Sequence, residues 1–147
     1  MNSSAEIRVD FYVLAAANPD ARLRFACRLT EKAYALKNRT YAHVPTAAQA
    51  RQLDEMLWTF RAGSFIPHAI AAGAAEAEVP VRIGHANDCE PDGDLLINLA
   101  DTIPNFFDRF ARVAEIVDAS DAGRRTGRER FAFYRDNGYT PNTHNIA

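Results

Sequence analysis

The segment SDAGRRTGRERFAFYRDNGY, residues 120–139, gathers guanidinium groups and aromatic rings in one helix-length stretch. At 100° per residue, Arg124, Arg128, Phe131 and Arg135 fall along one side of a helix and Phe133 on the opposite side. If Phe133 is buried against a sheet, Phe131 stands outside among three arginines. An exposed ring in a basic stripe costs solubility, so it asks for a ligand. The chemistry on offer is that of a socket: guanidiniums pair with carboxylates while the ring packs an apolar anchor. Single-stranded nucleic acid could use similar groups. Five arginines against Asp121, Glu129 and Asp136 make a modest patch, better suited to a short acidic peptide. The competing reading is a solvated arginine face, with Phe131 covering a neighbouring loop. Gly123 and Gly127 each cost a helix roughly 1 kcal/mol relative to alanine, so its first turns depend on tertiary contacts or stay mobile.

A second stretch, LDEMLWTFRAGSFIPHAI (residues 53–70), holds the only tryptophan. Leu53, Leu57 and Phe60 define a buried helical stripe, and Trp58 lies about 100° from Leu57, at the edge of that stripe or beyond it. Phe65 and Ile66 follow in a loop broken by Gly63 and Pro67, and loops run over surfaces. Exposed together, these side chains would make an apolar patch of the kind that marks protein interfaces. The competing reading is a satellite core beneath the loop. Trp58 and Phe65 are expected to face a partner, with Phe60 anchoring the loop from beneath.

Catalytic chemistry finds less support. The segment AAANPDAR, after the first strand, has no glycine loop to present backbone amides to phosphate. The acidic turn NDCEPDGD starts like a calcium loop at Asp88, but its twelfth position is Leu99, not glutamate. His43, His68, His85 and His144 lack metal-ligand spacing; His68 is expected to bond the backbone of its own loop. AGSFI lacks the second glycine of a nucleophile elbow. No general acid–base set, cofactor or metal site is expected.

These groups must be held by a larger frame. Alternating Ile7, Val9, Phe11 and Val13 predict a first strand. Asn18 and Pro19 cap a helix that runs to about Asn38. RTYAHV predicts a second strand, Pro45 and Thr46 start the helix containing Trp58, and a third strand lies near Val79–Ile83. LLINLA is continuous enough for a central strand covered on both faces. IPNFFDRF predicts a short helix, RVAEIVDA the last strand, and residues 120–137 the last helix, stopped by Gly138. Strands alternating with helices predict an α/β fold: three layers, a mostly parallel sheet with helices on both faces, Rossmann-like without its phosphate-binding loop. The 147 residues predict one domain. A net charge of −2 excludes a polyanion binder acting through its whole surface. No signal peptide or membrane span is expected, and Cys27 and Cys89 are expected to be free thiols in the cytoplasm.

The stretches LDEMLW, SFIPH, DLLINL and RERFAFYRDNGYTPNT, in that order, resemble the chi subunit of bacterial DNA polymerase III holoenzyme. The resemblance implies a non-catalytic accessory subunit of a holoenzyme with DNA-directed DNA polymerase activity. In that family one surface binds the psi subunit of the clamp loader. Another binds the acidic C-terminal tail of single-stranded-DNA-binding protein, which ends in phenylalanine. DNA is then reached mainly indirectly, and no membrane is involved. Carried over by motif, Trp58, Phe65, Pro67 and His68 fall at the psi surface, and Arg124, Arg128, Phe131 and Val117 at the tail site. Phe131 stands where tyrosine is often found in the family. Residues 71–93 match poorly, and no role is transferred to them. The alternatives are an α/β nucleotide-binding enzyme and a direct single-stranded DNA binder.

Overall fold

The computed structural model describes residues 7–60, 65–70, 79–85 and 91–146. In chain order these form β1 (Arg8–Leu14), α1 (Pro19–Ala35), β2 (Thr40–His43), α2 (Ala47–Thr59), β3 (His68–Ile70), β4 (Val81–Gly84), β5 (Gly93–Asn98), β6 (Phe110–Val117), α3 (Asp121–Asp136) and β7 (Asn142–Ile146). A single 3-10 turn, Phe107–Arg109, precedes β6. The strands make one seven-stranded sheet in the order β3-β4-β2-β5-β6-β1-β7, and every described pairing is parallel. The α/β class is as expected, and LLINLA supplies the central strand, buried from Leu95 to Asn98.

Each helix starts where the sequence provides a side-chain cap. Asn18 Oδ1 accepts the Ala21 amide at 2.9 Å, Thr46 Oγ1 that of Gln49 at 3.2 Å, and Ser120 Oγ that of Gly123 at 3.0 Å. At the far end of α3, Gly138 has φ +92°, a conformation that glycine alone adopts freely.

Two cores lie on opposite faces of the sheet. One packs α1 and α2 against Tyr12, Leu14, Ala42, Ile83, Ile97 and Ile116. The other packs Tyr134 of α3 against the alternate residues Val9, Phe11, Tyr41, Leu96 and Val113. Alternation along each strand therefore assigns every core side chain to one layer.

Three expectations are corrected. RVAEIVDA is not the last strand, because the chain after α3 returns to pair with β1 as β7. The loop after Trp58 is interrupted by β3, an edge strand of three residues beside β4. Phe133 is not buried against the sheet: it is 39% exposed and meets Phe107 edge-on, while Arg130 and Tyr134 take the inward positions. Cys27 is a buried free thiol whose pKa burial pushes up to about 12; Cys89 and the start of the acidic turn lie outside the described residues.

A buried carboxylate holds β7 in place. Asp10 of β1 accepts Arg112 Nε and His144 Nε2, both at 2.9 Å, and Arg8 Nε at 3.1 Å. Burial pushes its pKa up, but these donors outweigh burial and hold the carboxyl below its usual value. Tyr12 stacks on the His144 ring at 4.9 Å. Polar contacts thus dock a strand that has few apolar residues of its own.

Candidate functional site

The α3 groove is assembled from four elements. Val117 ends β6, and α3 crosses over it at Gly127. A methyl group at Gly127 would sit 2.9 Å from Val117 Cγ2, too close without a shift, so glycine is what lets the helix lie this low. Gly123 is constrained in the same way by the Asp118 side chain. Both glycines weaken the isolated helix, and both are explained by close approach rather than by mobility.

With α3 lowered, Phe131 is half-buried, its ring centroid 5.4 Å from that of Phe11. Phe11 and Val13 of β1, Val117 of β6 and Thr143 of β7 line the groove on the sheet side, Phe131 lines it on the α3 side, and the exposed Arg124 and Arg128 contribute its basic part. Its volume is about 280 Å³. Such a space accepts one large apolar side chain, with guanidiniums placed to meet carboxylates beside it. The four tail-site residues expected from the sequence, Val117, Arg124, Arg128 and Phe131, thus converge on a single groove. Phe131 belongs to its wall and is not a free-standing exposed ring.

Beneath α3 lies a closed polar network. Glu115, in the middle of β6, accepts Arg130 Nη1 at 2.7 Å on one oxygen. Its other oxygen accepts Tyr134 Oη at 2.8 Å and Asn98 Nδ2 at 3.0 Å. Arg130 Nη2 donates to the Ala100 carbonyl at 2.6 Å. Both charged side chains are at least nine-tenths buried. Burial and the neighbouring Glu115 carboxylate push the Tyr134 hydroxyl pKa far up, so it stays a donor. The network fixes the rotation of α3, and with it the rim arginines.

The Trp58 surface is built differently. Trp58 is 54% exposed on α2, and its ring lies 4.4 Å from that of His68 on β3. His68 Nδ1 sits 2.6 Å from the Ile66 carbonyl, as expected of a histidine bonding its own loop. Nε2 reaches the Asp54 carbonyl at 3.1 Å, which ties the strand to α2. Ile66 is buried, while Phe65 is 79% exposed and Pro67 is exposed. Phe60 is partly buried against the core. The four residues expected at the psi surface therefore all lie on α2, the segment leading into β3 and the first residue of β3, and Trp58 and His68 touch.

These two places sit at opposite edges of the sheet: α2 packs on β3 and β4, while the groove spans β6, β1 and β7. Six inter-strand steps at about 4.8 Å separate the edges by roughly 29 Å.

Sequence reasoning missed Phe11, Val13, Gly127 and Thr143 as groove residues. The first two read as ordinary inward-facing strand residues, and Thr143 comes from the strand that was not anticipated. Gly127 carried a signal, since a glycine in mid-helix implies a close neighbour.

The family model described as DNA polymerase III chi subunit, HolC, matches residues 7–142. The chain belongs to the DNA polymerase III chi subunit family. It is 46% identical over 142 residues to the DNA polymerase III subunit chi of Pseudomonas aeruginosa, covering 95% of this chain and 96% of that one. The Haemophilus influenzae chi subunit is 28% identical over 137 residues, covering 92% and 95%. The Escherichia coli chi subunit is 29% identical over 121 residues, covering 82% of each chain. Among solved structures, a chain of the S. cerevisiae complex of variant dbp5 and gle1 with ip6 aligns with TM-score 0.58 at 12% identity. That match covers 99% of this chain but only 43% of the other, and it shows the fold alone. Membership of the chi family places the chain in DNA replication, as a subunit of DNA polymerase III. No described helix is long and apolar enough to cross a membrane.

Proposed function

We propose that this chi-family chain is a non-catalytic, cytoplasmic accessory subunit that bridges two partners. The surface around Trp58, Phe65, Pro67 and His68 holds the psi subunit of the clamp loader. The α3 groove holds the acidic C-terminal tail of single-stranded-DNA-binding protein, with its terminal phenylalanine among Phe11, Val117 and Phe131 and its carboxylates on Arg124 and Arg128. The observation that carries this reading is the convergence of Val117, Arg124, Arg128 and Phe131 on one groove with an apolar floor and a basic rim. Placing the second surface at the far edge of the sheet leaves room for both partners at once. Neither contact needs high affinity, because many tails on one coated template raise the effective concentration.

Arg128→Ala tests the tail site. Arg128 is exposed, so the substitution leaves the melting temperature unchanged. In titration calorimetry at low salt it weakens binding of a synthetic acidic peptide ending in phenylalanine by roughly tenfold. Wild-type affinity falls as salt rises, because the rim charges are screened. Unchanged affinity in the variant removes Arg128 from the site and the assignment with it.

A further inference from the structure

We infer that the peptide held by the α3 groove also adds to the sheet, pairing through its backbone with the outer edge of β7. This rests on the groove being the site of an acidic segment with an apolar anchor. Three observations lead to it.

First, the groove has its last wall at the sheet edge. Thr143 of β7 lines it, and among the described residues β7 pairs only with β1. A segment whose anchor sits over β1 and whose carboxylates meet Arg124 and Arg128 therefore leaves the groove across β7.

Second, the outer backbone groups of β7 have known positions. The Ala15 amide donates to the Ile146 carbonyl at 3.1 Å, so the backbone groups of Ile146 face β1. Alternate residues of a strand turn their amide and carbonyl to opposite edges. His144 and Asn142 therefore face β1 with Ile146, while Thr143 and Asn145 present theirs outward. An added strand would lie about 4.8 Å beyond β7, with a side chain beside Thr143 at the groove.

Third, within β7 itself the usual devices against pairing are missing, the nearest being Pro141 just before the strand. Residues 142–146, NTHNI, contain no lysine and no proline, and their pairing to β1 runs without a bulge. The three-residue strand at the opposite edge is too short to template much. Recognition by strand addition draws affinity from main-chain bonds and specificity from a side-chain pocket, and here both lie within one strand of each other.

The test compares two substitutions at one exposed position. Asn145→Pro removes an outward amide, and proline is tolerated where that amide faces solvent on an edge strand. Asn145→Ala keeps the amide. With the synthetic acidic peptide ending in phenylalanine, Asn145→Pro is expected to weaken binding roughly tenfold, while Asn145→Ala stays within about twofold of wild type. Hydrogen exchange on the unmodified chain supplies an arm that needs no variant to fold: the Thr143 and Asn145 amides slow when the peptide saturates the site. Wild-type affinity in Asn145→Pro, or equal exchange with and without peptide, overturns strand addition while a loss in Arg128→Ala still upholds the groove. If Arg128→Ala binds as wild type, the groove reading falls, and strand addition falls with it.

Discussion

Arg130→Met lowers the unfolding free energy by about 3–5 kcal/mol, a large share of what a domain of this size possesses. The reason lies beneath α3. Glu115 is nearly inaccessible, and among the described residues Arg130 is the cation that donates to its carboxylate. Removing the guanidinium leaves a buried charge held by one hydroxyl and one amide, and it strips the Ala100 carbonyl of its donor. Methionine keeps most of the volume, so the loss reports electrostatics rather than a cavity. Urea unfolding with a common slope measures it. A change under about 1 kcal/mol means that water or another donor reaches Glu115 when Arg130 is absent. Because the same network sets the rotation of α3, the variant should also lose affinity for the acidic peptide, although Arg130 does not line the groove.

The second large effect belongs to the opposite edge. Trp58→Ala weakens binding of the psi subunit by about 2 kcal/mol or more, roughly thirtyfold, with peptide binding at the α3 groove unchanged. Trp58 already exposes about half its surface in the free chain and leans on the His68 ring, so truncation takes little from the core. Calorimetry with each partner separately distinguishes the outcomes. Loss at the psi surface alone assigns Trp58 to it. Equal loss at both sites signals general misfolding, and no loss at either removes Trp58 from the interface.

The parts of the fold that could be read from the chain are those where local chemistry and tertiary packing agree. Asn18, Thr46 and Ser120 cap their helices because their side-chain oxygens satisfy amides that have no partner within the helix. The alternation from Ile7 to Val13 and the unbroken LLINLA run reflect, respectively, the two-faced β1 and the central β5. β7 was illegible because NTHNI has neither alternation nor an apolar run. Its pairing is secured by His144 reaching Asp10, a residue 134 positions away. β3 is three residues long, too short to establish a period.

For the α3 groove, four of the side chains that line it were singled out from the chain and their orientation was not. A helical wheel set by apolar residues turns Phe133 inward, because arginine is rarely buried. In the folded chain Arg130 takes the inward position, and the cause sits on another element: Glu115, a carboxylate in the middle of the apolar strand sequence VAEIV. A charged residue in the centre of a covered strand requires a buried counter-charge, and that was the readable clue. Once Arg130 and Tyr134 face in, Phe131 turns toward Phe11 and becomes a wall of the groove, while Phe133 moves out over Phe107.

Bridging requires that two partners are held at once, on edges roughly 29 Å apart by strand count. The direct measurement titrates the fluorescently labelled acidic peptide ending in phenylalanine into the chain, first alone and then saturated with the psi subunit, following anisotropy and sedimentation together. The bridging account predicts the same peptide affinity in both titrations and a single sedimenting species that contains all three components. Release of psi by the peptide, or peptide affinity abolished by psi, would contradict it.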